Sequence, residues 1–362
     1  MVFQVFFLLE IGLLGILTTI SDLKRGKIYN KTIAAAIIAG LVFNAMQLQF
    51  AGPAEFAANA LFAFLAGFLL FAARLWSAAD AKLFLAYALL LPSGFYVFGY
   101  VPLFPSMSIL INAFVPAFIF LLVKLLAQTT KGEKVKSLRS CFSLRNVAYL
   151  ATGVFGFGWL IEALLAFSGI PGNFFLSLFI LFALIEIVGW LVPQKAMAGL
   201  IALLCIGRIA MEFGEVASIA FLLNFALTVL SMLLLFYFAL SLGFLKYGKK
   251  ARIGELKKGD VLLEAIVGDE NGVLSKKDIF GKGIFSAMGG IKERLAVDAK
   301  PTGLSEVEIE KIRAWEKQGK FDFGSILVQK SLAFAPLLFF GVILTVVFRG
   351  SFVAFLAAMI AG

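Results

Sequence analysis

The sequence predicts an all-α polytopic membrane protein with about 10 transmembrane helices and a small cytoplasmic α+β domain. Three observations predict it. The chain is 61% hydrophobic and only 15% charged over 362 residues. Its mean hydropathy is +0.99. Apolar stretches of about 18–25 residues, the length a helix needs to cross a bilayer, recur along it.

The opening stretch MVFQVFFLLEIGLLGILTTI lacks a basic start and a small-residue cleavage pattern. It therefore counts as the first span and not as a signal peptide. The spans are expected at 3–20, 32–50, 55–73, 81–101, 106–126, 147–167, 174–192, 196–212, 217–245 and 331–348. The tail SFVAFLAAMIAG is too short for a comfortable crossing and is expected to be interfacial or half-inserted.

Lys and Arg in short loops set the orientation. Lys24, Arg25, Lys27 and Lys31 follow the first span, which puts that end in the cytoplasm and the N-terminus outside. Alternation then places Arg74, the loop Lys124–Arg145, Lys195 and everything from Lys246 inside. The loops expected outside near 51–54, 102–105 and 168–173 hold no Lys or Arg.

Residues 246–330 break the apolar composition, holding 17 of the 32 basic and 13 of the 22 acidic residues. Such a segment faces water and is too long for a loop. Within it LSEVEIEKIRAWEKQG predicts a helix capped by Ser305, boxed by Glu308 and stopped at Gly319. ARIGELKKGDVLLEAIV alternates as strands do. The divisions are thus a membrane core at 1–126, a basic cytoplasmic loop at 127–146, additional transmembrane helices at 147–245, the soluble domain at 246–330 and a C-terminal membrane segment at 331–362.

The formal net charge of +10 lies along the cytoplasmic side. Inside-positive topology and anionic lipid account for it, so the bilayer is the expected partner and nucleic acid is not. Cys141 and Cys205 lack CxxC spacing and read as inert thiols. Glu162, Glu186 and Arg208 fall inside the additional spans, where mutual neutralisation is expected. GKGIFSAMGG lacks the ending of a phosphate loop.

Before residue 246 the chain contains just two aspartates, Asp22 and Asp80. Asp22 ends the first span and Asp80 opens the fourth, so the topology puts both at one membrane edge. Each also suits a helix end near water, Asp80 as an N-cap of the fourth helix. Ionisable groups at such depth are costly and often functional. The chain has no histidine, which removes HExxH zinc chemistry and a Ser–His dyad. Two close carboxylates remain: like charges cannot both ionise at short range, so the pair offers an acid and a base together.

ISDLKRGKIYN, followed 58 residues after its aspartate by that of SAADAKLFLAYALLLP, resembles the type IV prepilin and archaeal preflagellin peptidases, the GxGD aspartyl proteases of membranes. Asp22, Ile28 and Asn30 match the family's first motif, with Tyr29 where proline is usual. Asp80 and Lys82 match its G-x-G-D-x-K motif, with Ser77 and Ala79 in place of both glycines. The resemblance covers about residues 1–125, and LAFAPLLFFG at 332–341 is similar to the family's closing apolar segment. It implies catalysis by Asp22 and Asp80, no cofactor, and pilin-like or archaellin-like precursors as substrates. Lys82, Ser77, Ala79 and Pro336 are the candidate substrate-positioning residues, Lys82 against the alternative of snorkelling to headgroups and Pro336 by freeing backbone groups near the start of the last span, against that of an ordinary kink. The absence of paired CxxC motifs is similar to the archaeal members that only cleave. Two other readings stay open: a proton- or cation-coupled transporter using the same carboxylates, and an inactive peptidase relative.

Overall fold

The computed structural model describes residues 2–47, 52–72, 75–234, 248–268, 273–278, 294–297, 303–329 and 333–361. In chain order the elements are α1 (Val2–Arg25), α2 (Asn30–Gln47), α3 (Pro53–Ala72), α4 (Ala78–Leu90), α5 (Met107–Gln128), α6 (Lys131–Cys141), α7 (Leu144–Ser168), α8 (Phe174–Leu191), α9 (Gln194–Val216) and α10 (Ile219–Met232). There follow β1 (Gly248–Arg252), β2 (Glu264–Gly268), β3 (Leu274–Asp278), β4 (Arg294–Val297), α11 (Glu306–Lys317), β5 (Ser325–Gln329), α12 (Ala335–Phe348) and α13 (Phe352–Ala361). GKGIFSAMGG lies outside the described residues, as does the stretch 235–245 that was expected to finish the ninth span.

The protein is mostly helical. Among the described residues 5 helices are long and apolar enough to cross a membrane: Phe6–Arg25, Pro53–Ala72, Met107–Gln128, Asn146–Ser168 and Ala196–Val216. Asn30–Met46, Phe174–Leu184, Ile219–Met232 and Ala335–Phe348 are shorter apolar helices. Among the described residues, length and composition thus support five of the ten expected spans. The clearest departure is the run expected at 81–101. Its helix, α4, has 13 residues and so rises only about 20 Å, well short of a hydrocarbon core of about 30 Å.

The chain divides into two compact units. One comprises residues 1–121, 173–176 and 331–362. At its centre α4 is packed by α2 on one side and α3 on the other. Leu83, Phe84, Ala86, Tyr87, Ala88, Leu89 and Leu90 of this helix are all buried, which is why it is apolar all round and not striped. Small residues let the backbones meet: a Cβ on Gly40 of α2 would stand 2.9 Å from Leu89, and one on Gly67 of α3 would stand 3.0 Å from the Ala81 carbonyl.

A helix that ends among buried residues leaves carbonyls that it cannot itself satisfy. Asn59 of α3 donates to the Ala88 carbonyl at 3.5 Å, and Asn44 of α2 donates to that of Leu89. Asn59 also accepts the Ser106 N–H at 3.0 Å, fixing the start of α5. These asparagines explain how the fourth apolar run stops early.

The last segment belongs to the same unit. α12 packs on α1, and the tail forms the ten-residue helix α13. Asn112 of α5 holds their junction: its amide donates to Thr345 Oγ1 at 2.9 Å and to the Gly350 carbonyl at 2.8 Å. Its oxygen accepts the Phe352 N–H at 2.8 Å.

The other unit comprises residues 122–172 and 177–330. In it α7 packs against α9 and α10. Arg208 is 5% exposed and ion-paired with Glu162 at 3.2 Å and Glu212 at 3.4 Å. Its guanidinium lies 5.1 Å from the centre of the Phe155 ring and 4.8 Å from that of Phe221. Arg208 and Glu162 thus neutralise each other as expected, whereas the second partner is Glu212 and the Glu186 side chain lies outside the described ones. In the water-facing segment β1 pairs β5 antiparallel, and β2 lies between β3 and β4. α11 starts on the expected Ser305–Glu308 capping box, and Gly319 takes a left-handed φ of 66° just after it.

Candidate functional site

Asp22 stands in the last turn of α1. The helix stops because Gly26 turns left-handed, with φ 59°, and donates its N–H to the Asp22 carbonyl at 2.8 Å. One carboxylate oxygen of Asp22 accepts the Ala335 N–H at 3.0 Å. Ala335 is the first residue of α12, where N–H groups have no intrahelical partner and the helix dipole favours an anion. A residue 313 positions away thus completes the end of α12.

Pro336 follows directly, at the second position of α12. The expectation that it frees backbone groups is corrected: a proline there removes an N–H that had no helical partner anyway. The free donor beside the site is that of Ala335, and Asp22 takes it.

Asp80 is buried, 6% exposed, in the first turn of α4. The N-cap is Ser77 and not Asp80, which is the third residue of a capping box. Asp80 Oδ2 accepts the Ser77 N–H at 2.9 Å and the Ser77 hydroxyl at 2.6 Å. The Asp80 N–H returns a bond of 3.2 Å to that hydroxyl. Oδ1 of Asp80 has no hydrogen bond among the described residues. The helices that carry the two aspartates touch: α4 packs on α1 as well as on α12. Each carboxylate is anchored through one oxygen, that of Asp22 at the start of α12 and that of Asp80 at the start of α4.

The replaced glycines leave no strain. Ser77 has φ −77° and ψ 160°, an extended conformation open to any residue, and Ala79 is helical and half-buried. Neither position needs glycine's freedom, and the serine hydroxyl gives Asp80 a bond that glycine cannot. Ser77 is therefore a partner of Asp80. Ser77→Ala is expected to lower stability by about 1 kcal/mol and Ser77→Gly by a few tenths; thermal unfolding of the two variants in one detergent checks this order.

Lys82 is exposed, and its ammonium donates to Asn30 Oδ1 at 3.3 Å. It thereby ties α4 to the first residue of α2, joining the two sequence motifs. Lys24 is exposed on the last turn of α1. Tyr29 accepts a hydrogen bond from the Arg25 guanidinium.

Sequence reasoning missed Ala335, because its contribution is a backbone N–H that no side chain advertises. It also missed Trp76 and Phe334. Each immediately precedes a residue that holds a carboxylate, and their rings lie 5.4 Å apart. Trp76 directly precedes the stretch SAADAKLFLAYALLLP that contains Asp80, which was the one available signal.

Residues 9–126 match the type IV leader peptidase family. The chain is also similar to the prepilin peptidase EppA of Methanothermobacter thermautotrophicus: 26% identical over 355 residues, covering 90% of this chain and 89% of that protein. No solved structure matches the chain. The resemblance read from the two aspartate-bearing stretches is met, and both aspartates fall within the matched residues.

Proposed function

We propose that this chain, whose residues 9–126 match the type IV leader peptidases, is a prepilin-type membrane peptidase that cleaves with Asp22 and Asp80. The observation that carries the proposal is that Asp22 and Asp80 both fall within the residues that match the family, each carboxylate steadied by a backbone N–H.

Two carboxylates so placed hold one proton between them. The ionised member takes a proton from water, which attacks the scissile carbonyl. The protonated member gives its proton to the developing oxyanion, and the departing amine is protonated as the tetrahedral centre collapses. The titration belongs to the pair, so neither aspartate is assigned one role in it.

Pilin-like or archaellin-like precursors with short basic leaders are the proposed substrates. The basic residues that follow α1 put this end of the helices at the cytoplasmic face, where such leaders lie, with the N-terminus outside. Ten crossings satisfy that charge pattern, with the bilayer thinned around the shorter apolar helices. The small side chains of Ser77 and Ala79 leave room for an extended substrate strand beside Asp80, and Lys82 keeps Asn30 and the α1–α2 turn in place. Lys82→Ala is expected to slow cleavage several-fold while Lys82→Arg does not, measured as initial rates.

The test is direct. Purified protein in lipid vesicles is incubated with a precursor carrying a short basic leader ahead of about 20 apolar residues, the length of one span. Mass spectrometry is expected to find a single cut between leader and apolar segment, undiminished by a chelator. Precursors of this design that all stay intact overturn the proposal.

A further inference from the structure

Four rings meet beside the two carboxylates. Trp76 stacks on Phe114 of α5 with centres 5.6 Å apart and planes within 9°. It meets Phe84 of α4 edge-on at 5.6 Å and Phe334 at 5.4 Å. Phe334 closes the group on Phe114 at 5.5 Å. Trp76, Phe84 and Phe334 are buried, and offset or tilted rings at such distances attract beyond the burial of their surface.

The places of these rings in the chain matter more than their number. Trp76 is followed by Ser77, whose N–H and hydroxyl hold Asp80. Phe334 is followed by Ala335, whose N–H holds Asp22. The Trp76 N–H is fixed in turn by the Leu70 carbonyl at the end of α3, at 3.1 Å. Between the two carboxylates runs a continuous path: Asp80, Ser77, Trp76, Phe334, Ala335, Asp22. Every step is a bond, a hydrogen bond or a ring contact.

Among the described residues the buried indole N–H of Trp76 has no hydrogen-bond partner, so the contacts that hold the indole there are those of its faces and edges.

We infer that Trp76 and Phe334 form an aromatic brace that sets the separation of Asp22 and Asp80, making both of them positioning residues for the carboxylate pair. This rests on the peptidase reading for its functional meaning, but the geometric claim stands apart from it. The brace acts at the residue before each carboxylate's partner, so a change of ring size shifts the Ser77 donors relative to the Ala335 donor. α4 and α12 need not unfold for this to happen.

Cross-linking separates the brace from activity. In a chain with Cys141 and Cys205 replaced by serine, Ala78→Cys with Ala333→Cys, which flank the two rings and leave Asp22, Ser77, Asp80 and Ala335 intact, is treated with a bifunctional thiol reagent in membranes. Asn30→Cys with Lys82→Cys, joined by a contact outside the brace, is the control pair. With Trp76→Leu or, independently, Phe334→Leu added, the 78–333 cross-link is expected to form at least ten-fold more slowly and the 30–82 cross-link unchanged. Trp76→Phe, which keeps a ring, restores the 78–333 rate.

In the cysteine-free chain that keeps both aspartates, the same leucine variants are expected to lose cleavage at least ten-fold, and Trp76→Phe to recover it. An unchanged 78–333 cross-link in both leucine variants overturns the brace, as does equal slowing of both cross-links, which marks general loosening of the core. If the 78–333 cross-link alone slows while the protein cleaves no precursor, the brace stands and the peptidase reading falls.

Discussion

Asp22→Asn and Asp80→Asn, each made alone, are expected to lower the rate of leader cleavage by about 10³-fold or more, as removal of one member of an acid–base pair does. The fold should survive both changes. The amide oxygen of an asparagine at 22 still accepts the Ala335 N–H that Asp22 accepts now at 3.0 Å. At 80 the amide oxygen still accepts the Ser77 N–H, now bonded at 2.9 Å, and the capping box weakens without disappearing. What each variant loses is the ability to share a proton. Because the pair acts as a unit, the double variant should be little worse than either single one. Initial rates on one precursor, with thermal unfolding of each variant as the control, check both statements. Cleavage that persists in either single variant contradicts the dyad.

Gly350→Ala is expected to have the largest effect on stability, about 3 kcal/mol or more, because backbone clash and strain add at a position that cannot relax. Gly350 has φ 144°, and a Cβ there would stand 2.0 Å from the Phe98 carbonyl oxygen. Neither side can yield easily. The Phe98 carbonyl accepts the Ser351 N–H at 3.0 Å, and the Gly350 N–H donates to Thr345 at 3.0 Å. The Gly350 carbonyl takes one of the Asn112 bonds, at 2.8 Å. This junction fixes one end of α12, whose other end holds Asp22, so the variant should lose cleavage along with stability. Gly172→Ala is the matched control, since a Cβ there meets nothing within 4 Å. Denaturation of the three proteins in one detergent should place the control near the parent and Gly350→Ala far below it.

How much of this was legible depended on how local each cause was. The carboxylate pair stood out because aspartate is otherwise absent before residue 246. The start of α11 was legible because a capping box is complete within four residues. The Ser77–Asp80 box has the same spacing, but the comparison of positions 77 and 79 with glycine drew attention to what was missing and not to the hydroxyl that was present. The length of α4 was not legible. Its apolar run continues past Leu90, and the reasons it stops, Asn44 and Asn59, come from two other helices. Nor could spacing reveal that Asp22 meets Ala335 or that Trp76 meets Phe334, since packing alone brings these distant residues together.

The proton-sharing pair is tested most directly by the pH dependence of cleavage in the parent protein, measured as kcat/KM on one precursor at constant ionic strength. One carboxylate must be ionised and the other protonated, so the account predicts a bell with two apparent ionisations, both belonging to the pair. A rate that climbs through one ionisation and stays level at high pH would show that no protonated partner is needed. That result would contradict the shared proton on which the proposed mechanism depends.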